Sequence, residues 1–278
     1  MNWSKPFGVK NWAAWSPAIK TNEEWLAWSQ NPFSPIGSES PKVEGMQSIN
    51  RRRLRRLGSM ALETTYRLPE TSAPIVFCSK YGESDRCYEL LKELTETGVV
   101  SPQSFSLAVH NAIPSLYTID RKINPNVIAI SSDAEVLSAL LEVQGLFASG
   151  EEMVRIIVAE DSVPEVYKHY CDFVGESYAY AVDLVSAGDI SIGFSNIQDS
   201  DPIAQNLSIN LNVLRVLIGA EKCYAEKVNG VCWQLLLLHL LLLLLLLLML
   251  LMLLLLLLLL LGRHAHVRTC TRGARCGH

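Results

Sequence analysis

Val127-Ile128-Ala129-Ile130-Ser131-Ser132-Asp133, followed by Ala134 through Ala159, is the stretch on which the fold turns. Val127 to Ile130 is a short apolar run rich in β-branched residues, bounded by Asn124-Pro125-Asn126 and by Ser131-Ser132-Asp133, which predicts a buried strand. From Ala134 the residues Val136, Leu137, Ala139, Leu140, Val143, Leu146 and Phe147 recur at helical spacing, and Ser149-Gly150-Glu151 marks the end of the helix. Ser132 or Asp133 supplies a natural N-cap for it. Met153 to Ala159 is a second buried run, so the unit reads strand, helix, strand, the crossover that builds parallel sheets.

Working outward, Asn111-Ala112 precedes this unit, Ala139 lies six residues after Asp133, and Gly150-Glu151 follow it at seventeen and eighteen. With the strand and the small-residue elbow, this pattern resembles the N-terminal half of a β-ketoacyl synthase. Trp12-Ala13-Ala14-Trp15-Ser16-Pro17, Trp25, Trp28, a basic helix opening at Arg51 to Leu57, Phe77 to Glu83, and Phe105 to Ala112 add to the match. Together they resemble the short synthase-like proteins called chain length factors of the aryl-polyene type, over Asn11 to about Trp233. The resemblance implies an α/β, thiolase-like fold, N-terminal half only, with helices layered around a mixed, mostly parallel sheet. It implies a non-catalytic subunit that forms a heterodimer with a full-length β-ketoacyl synthase in fatty acid or polyketide biosynthesis. An acyl carrier protein is the second implied partner, and no cofactor or metal is implied.

In that family the position matching Asp133 is the cysteine that accepts the acyl chain. A condensing enzyme needs a thiolate, lowered in pKa at a helix N-terminus, and two histidines that assist decarboxylation and stabilise the oxyanion. Aspartate cannot form the thioester. After the elbow the chain offers His169, His239, His264, His266 and His278, none in a matching context, so the resemblance is expected to stop short of the half of the fold that carries the family's histidines. A helix cap beneath an interface is therefore the favoured role for Asp133, contributing about 0.5 to 2 kcal/mol. The enzymatic alternative is an acyltransferase or thioesterase-like activity on carrier-bound thioesters using Asp133 or His110.

In condensing enzymes the segment matching Phe105 to Ile119 lies near the subunit interface, where two elbows face each other. This implies partner contacts from His110, Asn111, Ala112, Leu116, Ser132 and Asp133. Ile113-Pro114-Ser115 departs from the small residue found there in the family. Arg51, Arg52, Arg53, Arg55 and Arg56 place five guanidiniums in six positions, either a solvated helix face or a docking surface for a carrier protein or partner. The five N-terminal tryptophans read as core or partner contact. No Gly-x-Gly-x-x-Gly follows a strand.

Charge divides the chain. Up to Trp233 there are 20 Lys and Arg against 28 Asp and Glu, a net charge of −8, while the last 45 residues hold four arginines and no acid. So acidic a body excludes a nucleic-acid footprint. The seven cysteines have no Cys-x-x-Cys pair, and free buried thiols in a reducing compartment are expected. Met1 to Pro6 is not followed by the apolar core of a secretory signal, which predicts a cytoplasmic protein. The division predicted is 1–233 as the synthase-like domain and 234–278 as a low-complexity tail. Leu235 to Leu261 is all leucine apart from His239, Met249 and Met252; as a helix it would run about 40 Å against roughly 30 Å of hydrocarbon. A membrane-tethered scaffold is thus a third reading, but a simple nucleotide repeat or read-through explains the composition better. Further strands are expected at Tyr178 to Val185, Asp189 to Phe194 and Val213 to Ile218, with loop and short helix over Ser162 to Tyr180.

Overall fold

The structure is a computed structural model and describes residues 2–171, 175–195 and 207–237, together with 249 and 252. Met1–Leu236 form one compact unit. In chain order its elements are β1 (Asn2–Trp3), β2 (Phe7–Trp15), α1 (Asn22–Gln30), α2 (Ser48–Arg51), α3 (Arg56–Tyr66), β3 (Ile75–Cys78), α4 (Ser84–Thr97), α5 (Pro102–Ser106), α6 (Ala112–Arg121), β4 (Val127–Ile130), α7 (Val136–Ala148) and β5 (Met153–Glu160). A 3₁₀ turn (Glu165–Tyr170), β6 (Tyr178–Ser195), α8 (Ile209–Leu217), β7 (Cys223–Val228) and β8 (Val231–Leu237) complete it.

The strands form one mixed sheet in the order β4-β3-β5-β6-β8-β7, with β1 and β2 also paired to β6. Its core is parallel: β3 lies between β4 and β5, with Phe77 opposite Ala129 on one side and Ile157 on the other. β5 then pairs antiparallel with β6, Ile157 opposite Ala181. This is the crossover expected from Val127 to Ala159, with the refinement that β3 is inserted between the two strands it joins. β4 forms one edge of the sheet.

Alternation along these strands sends side chains to both faces. Ile75, Phe77, Ile157, Ala159, Ala179 and Ala181 meet Leu57, Met60 and Ala61 of α3 and Ile113, Leu116 and Tyr117 of α6 in one core. On the other face lies α7, whose Val136, Leu137, Ala139, Leu140 and Val143 are all buried, with α8 beside it. Burying a Leu or Val side chain contributes about 1.5–3 kcal/mol, so the helical spacing of apolar residues in α7 is what fixes this layer. The N-terminal tryptophans are largely core: Trp15, Trp25 and Trp28 are buried, and the last two meet edge to face at 4.9 Å. Thr21 and Glu24 cap α1 reciprocally.

Three expectations are corrected. Val213 to Ile218 is not a strand but lies in α8 and the turn that ends it, with Leu211, Leu214 and Leu217 turned inward at helical spacing; a short apolar run does not reveal its period. The arginine run is not one helix: α2 ends at Arg51 and α3 begins at Arg56. β8 continues past Trp233 to Leu237 with Leu235 fully buried, so the first leucines of the tract belong to the sheet. Tyr178 to Val185 and Asp189 to Phe194 are one strand, β6. The rest of the tract, save Met249 and Met252, lies outside the described residues, among which no helix is long and apolar enough to cross a membrane.

Candidate functional site at the strand-to-helix elbow

The elbow between β4 and α7 is held by its own serines. Ser131 Oγ donates to the carbonyl of Lys80 at 3.0 Å, Ser132 Oγ accepts from the amide of Ala134 at 3.1 Å, and Ser132 and Ser138 share a hydroxyl hydrogen bond of 2.9 Å. The chain reverses at Glu135, with φ 48° and ψ −129°, immediately before α7. For a residue with a Cβ this is the left-handed side of backbone space, of the kind held in place only by surrounding structure, at about 1–3 kcal/mol. Asn210 of α8 supplies the hold: its side-chain Oδ1 accepts from the backbone amide of Val136 at 3.0 Å and its backbone N–H donates to Glu135 Oε2 at 3.2 Å.

Asp133 is therefore not the helix cap expected from sequence. It lies before the reversal, its side chain is 65% exposed, and it faces Lys80 Nζ at 3.8 Å and Asn229 Nδ2 at 3.3 Å. The N-cap position belongs to Glu135, whose own side chain makes no capping bond, and the first amide of α7 is satisfied instead by Asn210 Oδ1 from α8. Sequence reasoning passed over Glu135 because an acid in a first helical turn is ordinary. The signal that could have found it is the lone asparagine, Asn210, on the apolar face of α8.

His110 packs edge to face on Phe77, with centroids 5.6 Å apart, and its Nε2 lies 3.1 Å from the carbonyl of Ile130. Gly82, at φ +54°, lies flat against the ring, where an added Cβ would come within 2.8 Å of Nδ1. His110, Asn111, Ser132 and Asp133 thus border one edge of the sheet. Ala112 and Leu116 do not join them: both are buried within this chain, and Leu116 belongs to the core under α3. Pro114 sits in the first turn of α6 without breaking it, where the missing N–H has no intrahelical acceptor.

Beneath the elbow is a buried carboxyl. Glu160, at the end of β5, accepts from the amide of Lys80 and from Ser79 Oγ at 3.3 Å. Burial pushes its carboxyl up to about 8, aided by the nearby Glu135 and opposed by the Lys80 and Tyr81 amides and by Ser79. Burial likewise raises the Cys78 thiol well above its ordinary range, with Glu160 and Glu135 adding to the effect. Of the described cysteines all are free, but only Cys78 and Cys232 are buried; Cys87 and Cys223 are exposed. None stands at the elbow.

The five arginines separate. Arg51 reaches the carbonyl of Val43, Arg55 pairs with Glu89, and Arg56 binds Asp161, Ser162 and the carbonyl of Gly37. Arg52 and Arg53 have no side-chain partner among the described residues.

A parallel-cored sheet between two helical layers, with a strained turn from the edge strand into a buried helix, defines a thiolase-like fold. The chain belongs to the β-ketoacyl synthase N-terminal domain family, whose model matches residues 25–229. Among solved structures it is similar to a chain of the complex of the ketosynthase ApeO with its chain length factor ApeC from Xenorhabdus doucetiae, at 23% identity and TM-score 0.72, over 83% of this chain and 98% of that one. It also resembles the ishigamide ketosynthase/chain length factor, at 12% identity and TM-score 0.54, over 68% and 67%. A third likeness is to the complex of a type II polyketide acyl-carrier protein with its hexaketide-bound ketosynthase, at 12% identity and TM-score 0.52, over 66% of this chain and 63% of that chain. No curated protein matches it in sequence.

Proposed function

We propose that this chain is a non-catalytic, chain-length-factor-like subunit that pairs with a full-length β-ketoacyl synthase and helps bound the tunnel in which the acyl chain grows. The observation that carries the reading is an elbow with no nucleophile and base pair beside an open sheet edge. Asp133, at the position that the resemblance matches to the nucleophile, is an exposed carboxylate, and Glu135, at the reversal two residues on, has its carboxyl buried and hydrogen-bonded by Asn210. Ser132 is engaged with Ser138, and His110 with the Ile130 carbonyl, so neither forms a hydroxyl and imidazole pair.

The edge supports pairing. The carbonyls of Asn126 and Ile130 accept from the amides of Ile75 and Ser79 on the β3 side. By the period of a strand, Val127 and Ala129 then direct their N–H and C=O groups outward. An unpaired row of this kind is a template for a strand of another chain. His110, Asn111, Ser132 and Asp133 flank it and would be covered on pairing. An acyl carrier protein is the further partner in this reading, and the five described free thiols suit work in a reducing cytoplasm.

The test is co-expression with the cognate ketosynthase. The expected result is a heterodimer on gel filtration and product lengths that change when this chain is exchanged or altered. A stable monomer that leaves product length untouched would sink the reading. Turnover of acyl-carrier thioesters by the isolated chain, abolished by Asp133→Ala, would replace it with the enzymatic one.

A further inference from the structure

The two arginines without partners do not project at random. Arg52 and Arg53, with the buried Arg86, line a recess of about 430 Å³ to which Gln103 and Ser104 add neutral polar side chains and Ile49 an apolar one. Arg86 is fixed there: its Nε donates to Glu83 Oε2 at 3.1 Å and its Nη2 to the carbonyl of Arg53 at 3.0 Å. Glu83 neutralises Arg86, which leaves two uncompensated guanidiniums, and no acid lines the recess. In a body carrying a net charge of −8 up to Trp233, an acid-free wall with three arginines is an exception in need of a ligand.

We propose that this recess binds a small organic phosphate. A guanidinium presents a planar fork of donors that matches phosphate oxygens two at a time, and two free forks match the charge of a phosphate monoester and offset most of that of a pyrophosphate. The volume is larger than one phosphate needs and falls at the lower end of small-molecule sites. Ile49 and Leu107 give the organic part an apolar contact. The site is separate from the elbow and does not depend on the pairing proposed above.

The experiment is calorimetric titration of the full-length chain with inorganic pyrophosphate and with ADP in 150 mM salt, where exposed long-range attraction is screened over about 8 Å. The expected dissociation constant is about 10 to 500 μM for at least one probe. R52Q/R53Q should weaken it about tenfold or more, R52K/R53K about three- to tenfold because the forks are lost but the charge kept, and R121Q, whose partner is Glu70, should leave it unchanged. Melting curves of each variant matching the unaltered chain confirm that folding is intact, and Arg52 is exposed. The proposal is overturned by no saturation up to about 10 mM of either probe, by equal losses in R121Q, or by unchanged binding in R52K/R53K.

Discussion

Glu160→Gln is expected to remove a pH dependence of stability that the unaltered chain shows between about pH 4.5 and pH 8. Glu160 ends β5 under the loop Ser79 to Gly82, which also carries Lys80 toward Asp133 and Gly82 against His110. In the folded chain its carboxyl titrates at about 8, against 4.5 for an ordinary glutamate. Below pH 4.5 both folded and unfolded states hold the proton; between the two values only the folded state does. Stability is therefore fully present at low pH and falls as pH rises, by about 1.4 kcal/mol for each pH unit across the interval, with a ceiling near 5 kcal/mol. Glu160 keeps 8% of its surface in solvent, where the ionised form recovers hydration, so the expected loss is about 2–4 kcal/mol. Of the groups facing it, Glu135 disfavours its negative charge and the Lys80 and Tyr81 amides and Ser79 favour it, while the Cys78 thiol and the Tyr178 and Tyr180 hydroxyls, all raised well above their ordinary ranges, stay neutral across this interval. Urea denaturation of both chains at pH 5.5, 7.0 and 8.5 measures the difference and cancels the contributions of Glu83 and Glu176, whose carboxyls burial also raises. The glutamine chain should gain on the unaltered one as pH rises. Parallel profiles, or a gain that runs the other way, would refute the assignment of Glu160 as the buried proton.

Ala129→Pro removes an outward N–H from the edge strand while leaving the bonds to β3, so the fold should survive and the proposed heterodimer with a ketosynthase should weaken at least about tenfold by gel filtration or titration. Asp183→Ala strips Arg155 of two hydrogen bonds, at 2.7 and 3.0 Å, and leaves a fully buried guanidinium unpaired; about 3–5 kcal/mol should be lost in urea denaturation. Glu70→Ala, at the more exposed pair with Arg121, should cost under about 1 kcal/mol, and equal losses would contradict the burial argument. A chain ending at Trp233 should melt lower than one ending at Leu237, by the worth of burying Leu235, about 1.5–3 kcal/mol; identical melting would detach the leucines from the sheet.

The parallel core was legible because it rests on apolar periodicity: the α7 stripe and Met153 to Ala159 are buried as expected, whereas Val127 to Ile130, expected as a buried strand, is only half-buried because it forms the edge of the sheet. The functional centre was less so, and for a physical reason. Spacing along the chain counts residues, and by that count the reversal fell on Asp133. The reversal is a property of φ, and residue type does not announce a left-handed glutamate. What places it at Glu135 is a tertiary contact, Asn210, 75 residues further along the chain. The same holds for the arginines: five in six positions look like one cationic face, yet Asp161, Glu89 and the Val43 carbonyl claim three of them from elsewhere in the sequence. Long-range partners decide which charges are spent inside the fold and which are left for another molecule. An elbow whose acid is consumed internally, next to an edge strand whose outward amides have no partner among the described residues, is what supports the proposed role of holding a partner.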